Sequence, residues 1–286
     1  MIMKDLIIEK LAQIEREEDI KILHAVESGS RAWGFPSPDS DYDVRFIYVR
    51  KPEYYLKLEK TRDVIELPIN DTLDINGWDL NKTLRLLHGS NPTLFEWMSS
   101  PIVYRQTDFI DRLSPILDSY FSCKSGLHHY LSMAEGNYRD YLKSDMVKIK
   151  KYFYVLRPVL ACKWILHKQT KPPMLFSALM ESELEPSLRP VVKHLLDIKM
   201  NAPEIKEIPK IEEINNYLDK VMASVHEEIF AYPGEHRADW APLNELFLET
   251  VLTTSWMTNL TSCVILLTET KNNYFYRKEN DHANHY

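Results

Sequence analysis

Residues 28–43 read Ser-Gly-Ser-Arg-Ala-Trp-Gly-Phe-Pro-Ser-Pro-Asp-Ser-Asp-Tyr-Asp. A mostly apolar run over residues 20–28 precedes this stretch and predicts a strand, and a second apolar run follows it and ends at Val49. Glycine at the end of the first strand lets a phosphate approach the backbone closely. A short helix that begins at Ser30 would direct free N–H groups at that phosphate.

The two acids Asp41 and Asp43 open the second strand. Residues i and i+2 of a strand point to the same face, so we expect these carboxylates to lie side by side. Two such carboxylates repel each other unless a cation lies between them, and hard oxygen ligands suit Mg²⁺. An isolated Asp-x-Asp is most often a solvated turn, but the Gly-Ser pair upstream favours a metal site. Arg45 falls on the same face, where it either serves the site or pairs with one of its carboxylates.

A two-metal site needs a third carboxylate from a neighbouring strand. Asp74 interrupts an apolar strand predicted over 72–78, where a buried acid is costly unless a metal or partner compensates it. The alternative is Asp79, which precedes a leucine-rich segment and is better placed to cap the helix that follows. We therefore predict Asp74 as the third ligand and Asp79 as a cap.

The combination of Gly29-Ser30, Asp41-Tyr42-Asp43 and an acid in a later strand resembles the DNA polymerase beta-like nucleotidyltransferase superfamily. The longer pattern over residues 20–105, with Gly-Trp-Asp-Leu at 77–80 and Asn-Pro-Thr-Leu-Phe-Glu-Trp at 91–97, is similar to one branch of it. That branch holds bacterial predicted nucleotidyltransferases grouped with the RNA-repair-pathway polymerase-beta proteins.

The resemblance implies transfer of a nucleoside monophosphate from a nucleoside triphosphate to a hydroxyl acceptor, for which RNA is one candidate. Two Mg²⁺ ions, or Mn²⁺ in their place, would serve the reaction. The expected catalytic and metal-binding residues are Asp41, Asp43 and Asp74. The nucleotide would contact Gly29, Ser30, Arg31 and Ser40. The alternative is a module on the same fold that binds a nucleotide without chemistry, as an antitoxin-like regulator does.

A second candidate region is the basic segment 143–171, which holds eight Lys and Arg residues against one acid, Asp145. Lys150, Lys151, Tyr154 and Arg157 are predicted to bind the triphosphate and base, or the backbone of an RNA acceptor. A solvated basic face is the simpler alternative. Glu96 lies in a short helix after Pro92, where it is either an acid of the site or a structural partner of a basic group.

The periodicity predicts an α+β fold, a small α/β nucleotidyltransferase domain with a mixed sheet followed by an all-helical domain. Alternating patterns end near residue 106, which divides the chain into 1–106 and 107–286. Strands are predicted over 20–28, 41–49, 61–69 and 72–78, and in the second part helices over 107–121, 124–143, 146–168, 186–200, 210–230 and 242–268.

A formal charge of −7 argues against a general nucleic-acid coat protein but leaves room for a local basic groove. The three cysteines, Cys123, Cys162 and Cys263, lie far apart without metal-binding spacing. They indicate a reduced, cytoplasmic protein with small buried thiols. No apolar run approaches the roughly 18 residues of a membrane span. The oligomeric state is left open.

Overall fold

The computed structural model describes residues 3–67, 72–203, 205–233 and 238–256. The chain divides into two units, Met1–Leu252 and Thr253–Tyr286. All the strands and helices below lie in the first unit, except that the last helix ends one residue beyond it. Cys263 and residues 257–268 of the last predicted helix fall outside the described residues.

A five-stranded mixed sheet forms the centre of the N-terminal part. Its strands are β1 (Lys21–Glu27), β2 (Tyr42–Val49), β3 (Val64–Glu66), β4 (Leu73–Asp79) and β5 (Val103–Gln106), in the order β3-β4-β2-β1-β5. Only the β2–β4 pair is parallel. The predicted α+β class with a mixed sheet is confirmed.

The register of the parallel pair places Asp43 of β2 opposite Asp74 of β4. Side chains at paired positions of adjacent strands point to the same face of the sheet. The fold therefore brings two acids that are 31 positions apart in sequence onto one face, beside the turn that follows β1.

Five helices accompany the sheet: α1 (Met3–Glu17), α2 (Gly29–Ala32), α3 (Pro52–Tyr55), α4 (Leu80–His88) and α5 (Pro92–Met98). Ile7, Leu11 and Ile14 recur at helical spacing on α1 and bury one apolar stripe against β1 and β2. Burying each such side chain contributes about 1.5–3 kcal/mol. The stripe thus closes one face of the sheet.

The C-terminal part is built around α8 (Ile149–Lys168), which is buried over nearly its whole length. Around it lie α6 (Phe109–Leu117), a 3-10 turn (Asp118–Tyr120), α7 (Cys123–Tyr141), α9 (Phe176–Glu183), α10 (Arg189–Asn201), α11 (Glu212–Ala231) and α12 (Ala241–Thr253). The continuous α8 retains Pro158 in its interior. Cys123 and Cys162 are free and buried, as the sequence predicts.

Phe35, in the loop after α2, inserts into the core of this helical part. Its ring centroid lies 5.1 Å from that of Phe153 and 5.3 Å from that of Phe176, and the side chain is almost fully buried. The loop between the Gly-Ser turn and β2 is thereby attached to α8 and α9.

Three features of the fold differ from the sequence prediction. A two-stranded ribbon, β6 (Met146–Lys148) with β7 (Glu207–Pro209), interrupts the predicted all-helical part. The strand β5 and the helix α9 were not predicted. The strands β5, β6 and β7 are short and largely exposed, so they carry little of the alternation that identifies a strand.

The sheet ends at Gln106, at the boundary predicted from the patterns. That the two parts are separate domains stays a prediction, because residues 1–252 form one compact unit. Every helix among the described residues is too short or too polar to cross a bilayer.

Candidate functional site

The Gly-Ser turn lies directly over the first carboxylate of β2. Gly29 begins α2 with φ +58°, and a Cβ built on it would meet Asp43 Oδ2 at 2.0 Å. The Ser28 N–H donates to the Asp43 carbonyl at 2.8 Å. Any side chain at position 29 would therefore displace Asp43 and strain the backbone, since this φ favours glycine.

A single guanidinium joins the two facing acids. Arg45 Nη2 lies 3.0 Å from Asp43 Oδ1 and 2.6 Å from Asp74 Oδ2, and Nη1 donates to the carbonyls of Val44 and Asp74. The Asp43 and Asp74 side chains are 29% and 30% exposed. The sheet thus presents a pair of carboxylates, open to solvent, that both bond one positive group.

Asp41 does not join this pair. It lies in the loop just before β2, exposed, and its carboxylate bonds no side chain among the described residues. In the ranges that the structure describes, no three His, Cys, Asp or Glu side chains are grouped to hold a metal ion. The structure therefore brings Asp43 and Asp74 together and leaves Asp41 beside them on the loop.

Glu27, which was not among the residues predicted from the sequence, accepts a hydrogen bond from the backbone of Asp43. It ends β1 and is fully buried. Its Oε1 accepts the Asp43 N–H at 2.8 Å, and its Oε2 accepts the Tyr104 hydroxyl. Burial raises the pKa of Glu27, while the bonds from Tyr104 and Asp43 oppose that shift. The sequence does carry a signal for Glu27, because it is an acid at the end of an apolar strand, just before the Gly-Ser turn.

The loop between α2 and β2 is held by its own polar groups. The Ser30 hydroxyl donates to Ser40 Oγ at 3.2 Å, and Ser40 Oγ also accepts the Ser37 N–H at 3.0 Å. Arg31 donates to the carbonyls of Ser40 and Asp41 and covers the ring of Tyr42 at 3.7 Å. These predicted nucleotide contacts therefore lie in one network that shapes the approach to Asp43.

Lys199, at the end of α10, ties the same loop to the helical part. Its ammonium is buried and donates to the Phe35 carbonyl at 2.8 Å and to Ser37 Oγ at 3.1 Å. A buried ammonium that bonds backbone and hydroxyl oxygens is well placed to fix the course of a loop. The sequence offered no signal for it, because Lys199 lies 162 positions from its serine partner.

The basic residues of α8 fall into two environments. Lys151 is half-buried with its ammonium 3.5 Å from the Tyr141 ring centroid, and Tyr154 meets Trp33 edge-on with centroids 5.8 Å apart. Lys150 is also half-buried. Tyr154 of α8 thus packs against the residue that follows α2, the short helix begun by Gly29.

Arg157 points into the protein instead. It is 2% exposed, and its Nη1 donates to Glu96 Oε1 at 2.8 Å. Glu96 also accepts the Tyr130 hydroxyl at 2.9 Å, and the Arg157 guanidinium lies 4.7 Å from the Trp33 ring. Glu96 is thus a structural partner of a basic side chain. Arg157 is buried beside Trp33 and does not face solvent.

Asp79 lies at the opposite end of β4 from Asp74 and is not part of the carboxylate pair. It caps α4 by accepting the Asn81 N–H at 2.8 Å, and it also accepts the Tyr55 hydroxyl at 3.0 Å. Burial raises the pKa of Asp79 to about 6. Its predicted role as a helix cap is confirmed.

The chain has clear relatives. It is 47% identical over 251 residues to the uncharacterized protein YcgL of Bacillus subtilis (strain 168), a match that covers 87% of this chain and 96% of the relative. A crystal structure of a nucleotidyltransferase-like protein from Exiguobacterium sibiricum 255-15 aligns over 96% of this chain and 92% of its own, at 15% identity. Its TM-score of 0.29 is too low to support a statement about the fold.

A family model matches residues 3–249, most of the chain and all of the elements that build the site. The resemblance inferred from the Gly-Ser turn and the acids is confirmed by this match. The chain belongs to the RNA repair pathway DNA polymerase beta family, RlaP.

Proposed function

We propose that the protein transfers a nucleoside monophosphate from a nucleoside triphosphate to a hydroxyl acceptor, with Mg²⁺ bound at Asp43 and Asp74. The observation that carries this proposal is the pairing of these carboxylates, from adjacent strands, around one positive group next to the Gly-Ser turn. Family membership supports the reaction class.

The two carboxylates fit a divalent cation. Both already bond a cation of the chain, the Arg45 guanidinium, so the position between them attracts positive charge. Oxygen donors of this kind suit Mg²⁺, with substrate phosphates completing its shell. When bound, the ion would neutralise phosphate charge and activate the attacking oxygen. Asp41 would join from the adjacent loop, and Mn²⁺ is the proposed substitute.

The chain itself would position the reactants. The backbone at Gly29 and Ser30 would hold the phosphates, since Gly29 lies directly against the Asp43 carboxylate and begins a helix. The acceptor oxygen would form a bond to the α-phosphorus as the bond from that phosphorus to the bridging oxygen breaks. Pyrophosphate leaves, and the hydroxyl proton passes to a base. Asp74 would serve either as this base or as a ligand of the metal ion. Catalysis would then depend on positioning and charge neutralisation.

A second function is favoured by Arg45 itself. A guanidinium that occupies the place between the carboxylates satisfies them without a metal. A module that binds a nucleotide without chemistry would retain this arrangement. The two functions can be distinguished because only the transferase converts the bound nucleoside triphosphate into products.

The test incubates the protein with each α-labelled nucleoside triphosphate and Mg²⁺ or Mn²⁺, with and without total cellular RNA. Label in RNA, protein or a small product is expected with wild type and is expected to fall at least about 100-fold in Asp43→Asn. Asp111→Asn, which removes an exposed acid of α6, is the matched control. Full transfer by Asp43→Asn would contradict the proposal. Nucleotide binding without label in any fraction would favour the binding module.

A further inference from the structure

An open cavity of about 630 Å³ lies apart from the carboxylate pair, where the end of α4, the 3-10 turn and the start of α7 meet Trp240. Cavities that bind small molecules commonly measure about 300–1,000 Å³. Neither Asp43 nor Asp74 lines this one, and neither does any residue of the Gly-Ser turn. The family motifs do not explain it.

The described wall of the cavity carries two cationic side chains, Arg85 and Lys124, and no Asp or Glu. His128 also lines it. This is unusual in a chain with a formal charge of −7. A concave surface of one sign concentrates ligands of the opposite sign. The cavity is therefore suited to an anion.

Arg85 is free to bind such an anion. It is exposed on α4, and its guanidinium makes no hydrogen bond or ion pair with any residue that the structure describes. Lys124 donates to the Tyr232 carbonyl at 3.3 Å, which holds its ammonium at the wall. A guanidinium binds phosphate through two parallel hydrogen bonds, so Arg85 fits a phosphate group better than a halide.

A flat aromatic surface forms another side of the cavity. The rings of His88 and Trp240 stack with centroids 3.5 Å apart and planes 9° from parallel. Trp240 nevertheless remains 45% exposed. Stacked aromatic side chains with an open face are the surfaces on which proteins bind nucleobases.

Two serines make this wall rigid. Ser90 Oγ accepts the Ser122 N–H at 2.7 Å, and Ser122 Oγ accepts the Ser125 N–H at 3.0 Å. The end of α4 and the start of α7 are thus joined directly. A cavity whose walls are already joined binds without the cost of ordering them.

We propose that this cavity binds a nucleoside monophosphate unit, with its phosphate at Arg85 and Lys124 and its base against Trp240 and His88. The unit is either a free nucleotide or the phosphorylated end of an RNA strand, since both present the same groups. The binding does not depend on the proposed transfer reaction.

The test is isothermal titration calorimetry without divalent cations. The ligands are inorganic phosphate, AMP, and a short RNA with and without a 5′-phosphate. AMP is expected to bind more tightly than phosphate. Arg85→Met should weaken AMP binding about tenfold. Lys82→Met, which removes a cation one turn away on α4 that pairs with Asp63, is the matched control and should leave it unchanged.

Trp240→Leu is expected to weaken the binding of AMP but not of phosphate, and Asp43→Asn should change neither. Equal binding of AMP by wild type and Arg85→Met would overturn the proposal, as would AMP that binds no more tightly than phosphate. Arg85 is exposed and its guanidinium makes no hydrogen bond or ion pair with the residues that the structure describes, so its replacement should leave folding intact. RNA that binds at least tenfold more tightly than AMP, and only when phosphorylated, would identify a strand end. AMP that binds as well as RNA would identify a free nucleotide.

Discussion

Asp43 and Asp74 face each other across the parallel strands β2 and β4, and both carboxylates bond the same nitrogen of Arg45, at 3.0 and 2.6 Å. The close approach of two negative charges is relieved by a positive group of the chain. Any other cation that binds here would compete with Arg45.

Arg45→Met should therefore change both stability and metal response. Removing the guanidinium leaves two repelling, partly exposed carboxylates, which should destabilise the metal-free protein by about 1 kcal/mol. Mg²⁺ or Mn²⁺ should then raise the melting temperature more than in wild type, because no internal cation has to be displaced.

Differential scanning fluorimetry with and without each metal measures this effect. Arg50→Met is the matched control, since Arg50 directly follows the same strand and pairs with Glu18 away from the site. A metal-induced shift that is no larger in Arg45→Met than in wild type would show that Arg45 and the metal do not compete.

Gly29→Ala tests the close approach over Asp43. The positive φ costs an alanine about 1–2 kcal/mol, and the added Cβ would also press on Asp43 Oδ2. We expect a loss of at least about 1 kcal/mol in the free energy of unfolding, measured by urea denaturation. Gly136→Ala in α7 is the contrasting control, since a Cβ there meets nothing within 4 Å. It should stabilise the protein by about 0.5–1 kcal/mol. If both substitutions change the free energy of unfolding equally, the proposed close approach of Gly29 to Asp43 is contradicted.

Glu27 should act as a positioning residue. Glu27→Ala leaves the partly buried Asp43 N–H and Tyr104 hydroxyl without their acceptor, at about 1–3 kcal/mol in total. Glu27→Gln retains an oxygen that can accept the Asp43 N–H, so it should destabilise the protein much less than Glu27→Ala. Transfer activity and urea stability of the two variants measure this difference. If Ala and Gln behave alike, the hydrogen bond to Asp43 is not what matters.

Protonation of His24 should lower the free energy of unfolding at acidic pH. Burial lowers the pKa of His24 from 6.5 to about 4, so the unfolded chain binds a proton more readily than the folded chain between these values. Stability contributed by neutral His24 is therefore lost as the pH falls from about 6.5 to 4. The loss is on the order of 3 kcal/mol by the difference in pKa.

Urea midpoints of wild type and His24→Gln, measured from pH 4 to 7, should converge or cross as the pH falls. The raised pKa of Asp79 acts in the opposite sense, because its stabilising contribution is lost as the pH rises toward about 6. Asp79 is present in both proteins, so its contribution cancels in the difference between wild type and His24→Gln. A constant difference across the pH range would contradict the lowered pKa of His24.

Much of the fold and part of the site could be predicted from sequence alone. Helical periodicity identified α8 and α11, and the position of Asp79 before a leucine-rich segment identified a cap. The spacing of Asp43 and Arg45 predicted their common face. These predictions succeeded because each depends on neighbours within a few positions, where backbone geometry alone decides which side chains meet.

The tertiary structure decided the remainder. The parallel register of β2 and β4 placed Asp74 opposite Asp43, the chain reversal to β5 brought Tyr104 to Glu27, and helix packing turned Arg157 inward to Glu96. Such contacts join segments far apart in sequence, and burial rather than local pattern selects them. The sequence by itself determined which residues have the chemistry of the site. Only the packing of distant segments decided that Arg45 bridges the carboxylates and that Arg157 supports the fold.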